Sequence, residues 1–122
     1  MQRVAITGLG CISALGATAA EFWQSLATGR CGIRTLTHLP AGQLQIGIGA
    51  DVANYDASVH FDPKRLGMLD RFSQFALIAA REAIRDAGLD FKNTENGAAR
   101  RTAVILGTGI GGETTLDERA HV

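Results

Sequence analysis

A chain of 122 residues is long enough for one small domain and too short for two, and 46% hydrophobic against 20% charged residues excludes a disordered segment, because a core can form. Twelve basic residues balance twelve acidic ones, which argues against a nucleic-acid binder, where a basic excess is the rule. Two cysteines outside any C-x-x-C, with no clustered histidines, indicate neither a zinc site nor a disulfide framework and suit a reducing cytosol. No run approaches the roughly 18 apolar residues of a membrane helix.

The amino end admits two readings. Arg3, an apolar middle and Ala17-x-Ala19 have the outline of a secretory signal, but Thr7, Gly8, Gly10, Ser13 and Gly16 interrupt what should be a continuous apolar run. The better reading is a short strand, Val4-Ala5-Ile6-Thr7, ended by Gly8-Leu9-Gly10 and followed by a turn-rich connection from Cys11 to Gly16. Cys11 has no histidine or acid near it in sequence, so a small buried thiol is the simpler expectation than a nucleophile.

Thr18-Ala19-Ala20-Glu21 reads as a capping box opening a helix. Ala19, Phe22, Trp23, Leu26 and Ala27 then share one helical face, and Gly29 stops the helix. Arg30 to Arg34 and residues 35–45, with Pro40 and Gly42, read as loop. Ile46 to Val52 alternates like a short or edge strand weakened by its glycines. His38 and His60 lie in loop-like surroundings and read as surface residues.

Asp62-Pro63 marks a helix start, with Asp as cap and Pro in the first turn. Lys64 and Arg65 follow in that turn, where the helix dipole disfavours cations; they are either a solvated face or a handle for an acidic partner. Phe72, Phe75, Ala76, Ala79, Ala80, Ala83, Ile84 and Ala87 then repeat at helical spacing. The alanines make that stripe flat enough to lie close on a sheet. Gly88-Leu89 predicts a Schellman ending, and Asp90 to Arg100 reads as polar linker.

Thr102 to Leu106 is β-branched, apolar and uncharged, the pattern of a strand buried on both faces of a parallel sheet. It runs into Gly107-Thr108-Gly109-Ile110-Gly111-Gly112. Open α/β sheets place their chemistry in such loops at the carboxyl ends of strands. Gly107-x-Gly109-x-x-Gly112 also fits a dinucleotide fingerprint, but two of its requirements, an acidic residue about 20 positions on and a completing strand, are missing from a chain that stops at Val122. A plain turn into the next helix is the third reading. The order strand, helix, weak strand, helix, strand predicts an α/β fold with a mainly parallel sheet and flanking helices.

Taken together, Val4 to Gly10 with Ser13 and Gly16, Phe22-Trp23 with Gly29 and Gly32-Ile33, Leu69 to Ala76, Asp86 to Leu89 and Gly107 to Gly112 resemble the amino-terminal part of β-ketoacyl-acyl-carrier-protein synthases of the elongating, KAS I/II type. The motifs appear in the family's order and cover nearly the whole chain. The resemblance implies a thiolase-like fold of two mirrored α/β halves, of which residues 1–122 are an incomplete amino-terminal portion. It implies a cytoplasmic homodimer that works in fatty-acid or polyketide-like chain elongation, touching neither nucleic acid nor membrane. The implied reaction is a decarboxylative Claisen condensation, with substrates carried on the phosphopantetheine of acyl carrier protein and no metal or other cofactor.

The family's catalytic cysteine and two histidines come after the Gly-rich loop. Cys11, Cys31, His38, His60 and His121 match none of them, so no catalytic residue is assigned and the 122-residue chain alone is expected to be inactive. Ile110, flanked by Thr108 and Gly109, matches the family's isoleucine beside the acyl-chain pocket. Lys64 and Arg65 fall in the segment that contacts the carrier protein, although Gly67 and Met68 stand where further basic residues often occur. A non-catalytic homologue that shapes chain length would share this whole segment. The apolar strands presume covering layers, so the chain alone is expected to expose apolar edges and associate.

Overall fold

The computed structural model describes residues 3–36, 45–93, 97–112, 115 and 120. The chain divides into two compact units, Cys11–Tyr55 and a second made of Met1–Gly10 with Asp56–Val122. Length alone suggests one domain.

In the Cys11–Tyr55 unit, α1 spans Ala19–Ala27. Its start is a capping box with one difference from expectation. The Glu21 amide donates to the Thr18 hydroxyl at 3.2 Å, but the Glu21 carboxylate accepts from the amide of Ala17, one residue earlier than the cap, at 2.8 Å. Gly29, at φ 67°, closes the helix as a Schellman motif, with the Arg30 amide donating to the Ser25 carbonyl at 2.9 Å and the Gly29 amide to Leu26 at 3.0 Å.

The packed face of α1 is rotated from the predicted one. Ser25 is the buried residue and its hydroxyl donates to the Leu15 carbonyl at 2.7 Å, while Trp23, Leu26 and Ala27 are exposed. The turn at Ser13–Gly16 decides this. It approaches α1 so closely that a β-carbon on Gly16 would meet the Glu21 β-carbon at 2.6 Å. Phe22 and Ser25, one turn apart, face that backbone, and Trp23 turns away.

The same unit holds the two-stranded sheet. Strands β1 (Arg34–Thr35) and β2 (Ile48–Gly49) pair antiparallel, Arg34 opposite Gly49 and Thr35 opposite Ile48. Residues 34 and 35 read as loop in the sequence, because a two-residue strand has no periodicity to show. Arg34 is its anchor. Its guanidinium donates to the carbonyls of Ala14 at 3.2 Å and Asp51 at 2.9 Å, and pairs with the Asp51 carboxylate at 3.1 Å.

The other unit is built on α3 (Arg71–Asp86), preceded by a 3-10 turn at Ala57–Val59 and the short helix α2 (Pro63–Leu66). Asp56, Asp62 and Asp70 cap these three starts. The predicted Schellman ending forms: the Leu89 amide donates to Ile84 at 3.0 Å and the Gly88 amide to Arg85 at 3.1 Å, with Gly88 at φ 63°. The predicted stripe is half-buried along its length except Ala80, which is exposed. Phe61 is the one buried apolar side chain among the described residues, with the Arg81 guanidinium 4.9 Å above its ring and donating to the His60 carbonyl at 3.1 Å.

Gly8 and Gly10 do not serve as a turn. They lie flat on the alanine stripe, where a β-carbon on Gly8 would collide with the Ala83 carbonyl and one on Gly10 with the Ala79 carbonyl. The Leu9 amide between them donates to the Asp86 carboxylate at 2.9 Å. The small residues on both sides are what permit backbone to rest on helix.

The expected parallel sheet is not assembled among the described residues. Among the described residues neither Val4–Thr7 nor Thr102–Leu106 enters a ladder, and Val4, Ile6, Val104 and Ile105 are 83–95% exposed. An apolar groove floored by Ala80, Ala83, Ile84 and Ala87 runs between the two segments. A doubly buried strand needs neighbours on its edges and a layer on each face. The described residues supply one helix face only.

Candidate functional site

The residues of interest belong to the α3 unit. The short helix α2 forms because Asp62 accepts from the Arg65 amide at 2.9 Å and Pro63 already holds a helical φ. Lys64 and Arg65 are both exposed. The predicted conflict with the helix dipole is relieved by length, since in a four-residue helix these cations also occupy the last turn, where positive charge is favoured. The arrangement can present two cations to an acidic surface.

The Gly-rich loop curls back on itself. A β-carbon on Gly111 would lie 2.9 Å from the Thr108 hydroxyl oxygen and 3.0 Å from the edge of the Phe72 ring. Gly112 takes φ 89°, which only glycine adopts easily. Gly107 and Gly109 have open space around the β-carbon position and no positive φ, so neither demand falls on them. Thr108, Gly109 and Ile110 are exposed, with Ile110 at 79% on the tip of the loop.

Asp70 joins this loop region to the start of α3. One carboxylate oxygen accepts from the Phe72 amide at 3.4 Å, and the other accepts from the Thr115 hydroxyl at 2.5 Å and the Thr115 amide at 3.3 Å. The Thr115 hydroxyl, ahead of the amides, holds the Asp70 carboxyl below its ordinary value of 3.8 despite partial burial. Sequence reasoning placed Asp70 only within the Leu69–Ala76 motif. Its partner lies 45 residues away and carries no local signal.

Cys11 is half-buried and Cys31 exposed, neither in a disulfide, and His60 is exposed. Among the described residues no three His, Cys, Asp or Glu side chains gather as a metal site would need. No described helix is long and apolar enough to cross a membrane. His38 and His121 lie outside the described residues.

The family description "Beta-ketoacyl synthase, N-terminal domain" matches residues 1–121. The chain belongs to this family. The Gly-rich loop, residues 107–112, lies within the matched span. The segment is 39% identical over 96% of its length to 3-oxoacyl-[acyl-carrier-protein] synthase 2 of Coxiella burnetii. It is 37% identical over 99% to the synthase of the same name from Synechocystis sp., and 36% identical over 98% to that of Staphylococcus aureus. Among solved structures, the ishigamide ketosynthase/chain length factor aligns with a TM-score of 0.62 at 31% identity, covering 72% of this chain and 22% of that one. The β-ketoacyl synthase segment spans 28% of the length of the curated relatives it matches.

Proposed function

We propose that this segment serves as the amino-terminal part of a 3-oxoacyl-acyl-carrier-protein synthase of thiolase-like fold, acting in fatty-acid chain elongation. The observation that carries the reading is similarity to synthases of that name along nearly the entire segment. In the reaction, a cysteine thiolate attacks an acyl thioester and expels the carrier thiol. Malonyl-carrier loses carbon dioxide, and the carbanion so formed attacks the enzyme-bound thioester, expelling the cysteine thiolate. That cysteine and two histidines come from outside these 122 residues; Cys11 and Cys31 take no part. The substrates arrive on phosphopantetheine, and no metal or further cofactor is used.

Within the segment, Thr108, Gly109 and Ile110 border the acyl chain, with Ile110 limiting its depth. Lys64 and Arg65, exposed on α2, contact the acidic carrier protein. The whole enzyme is a cytoplasmic homodimer. The second reading, a subunit that shapes chain length without catalysis, draws support from the ketosynthase/chain length factor likeness.

The test is condensation by the complete gene product, with acyl-carrier and malonyl-carrier as substrates. Ketoacyl product together with carbon dioxide supports the enzyme; product only when a second, catalytic subunit is added supports the chain-length subunit. Ketoacyl formation by the 122-residue chain alone would overturn the assignment of catalysis to residues outside it.

A further inference from the structure

The geometry points to Asp70 as a positioning residue for acyl-chain selectivity, acting through Thr115 and the Phe72 ring to fix the loop that carries Ile110. This rests on the reading of Ile110 as an acyl-pocket residue. Two fastenings tie the loop region to one helix end. Gly111 is seated against the ring of Phe72, and Thr115 donates its hydroxyl and its amide to Asp70, two residues before Phe72. The Thr108 side chain closes on Gly111, so Gly109 and Ile110 form the tip of a small loop resting on that seat.

Ile110 itself contributes little to its own placement. Its side chain is 79% exposed, so packing around the isoleucine cannot hold it. A residue that limits pocket depth must nevertheless sit within a fraction of an ångström of one place, which requires rigid support from its neighbours. Asp70 is suited to that task because it already caps α3 through the Phe72 amide. Its carboxylate therefore couples the helix start to the position of the Gly-rich loop region.

The test uses the complete enzyme with acyl-carriers of short and long chain, reading the ratio of kcat/KM between them. Asp70→Asn keeps a helix-capping side chain but removes the charge. Thr115→Val removes the hydroxyl and leaves α3 and its cap untouched, so it stays informative should the first variant fold poorly. Each is expected to shift the long-to-short ratio by roughly threefold to tenfold, the scale of one ordinary hydrogen bond, and the double variant no further than the larger single. Asp56→Asn, at a cap remote in sequence from the loop, is expected to leave the ratio where it was. An unchanged ratio in both Asp70→Asn and Thr115→Val, in an enzyme that condenses, overturns the positioning role and leaves the proposed function standing. Wild-type protein that forms no ketoacyl product defeats the proposed function itself, and the positioning role with it.

Discussion

Gly10 lies against the Ala79 carbonyl with no room for a side chain between them. Gly8 repeats the arrangement one helical turn along, at Ala83 and Ala87. The first strand-like run is thus held by the backbone of α3, and its register is set by the Leu9 amide on the Asp86 carboxylate.

Gly10→Ala should therefore destabilise the α3 unit by about 1–3 kcal/mol, because the new methyl group forces backbone to move. Gly107→Ala is the contrast. It has open space and no positive φ, so it should be neutral or stabilising by up to about 1 kcal/mol through the unfolded chain. Urea unfolding midpoints of the two variants check the pair; equal midpoints would sink the close-approach account.

Arg34→Ala should loosen the Cys11–Tyr55 unit by about 1–2 kcal/mol, since it strips three contacts from a side chain that is still 39% exposed. Asp51→Asn should cost roughly 0.5 kcal/mol, as the Asp51 carbonyl keeps its bond and only a partly screened charge is lost. The Leu36 amide, bonded to the Gly47 carbonyl at 2.9 Å, reports the outcome by hydrogen exchange. Exchange there should speed up in the order wild type, Asp51→Asn, Arg34→Ala.

The purified 122-residue chain should self-associate. Val104 and Ile105 are 91% and 95% exposed, and covering each is worth about 1.5–3 kcal/mol. Val104→Lys with Ile105→Lys should shift sedimentation toward monomer at the same concentration. Association that survives both substitutions would place the contact elsewhere.

Acid should act through the caps. Hydrogen bonds from Ser58 lower the Asp56 carboxyl below 3.8, and those from Thr115 lower Asp70. A folded-state value below the unfolded one means the stabilisation is present above 3.8 and is lost as pH falls from there through the lower folded value. Asp70→Asn should flatten that part of the stability–pH curve, and Asp56→Asn should flatten it further. A curve that keeps its slope in the double variant would assign acid sensitivity to other carboxylates.

The starts and stops of helices were readable residue by residue. Thr18 and Asp62 open helices, and Gly29 and Gly88 close them, because a cap is made within about four positions of chain and its chemistry is local. The alanine stripe of α3 was legible for the same reason, as was its flatness. Family membership was legible because separated motifs in fixed order are a property of sequence alone.

Tertiary packing decided the rest. Nothing local distinguishes Gly10 as a contact from Gly10 as a turn; Ala79, on which it rests, is 69 residues away in the numbered chain. The face α1 buries was chosen by the Ser13–Gly16 turn, whose backbone takes Phe22 and Ser25 and leaves Trp23 exposed. The apolar run at Thr102–Leu106 states that burial is wanted, and burial is a relation between segments: pattern shows the demand, and only neighbouring chain can meet it. Asp70 likewise shows its hold on Thr115 only in space.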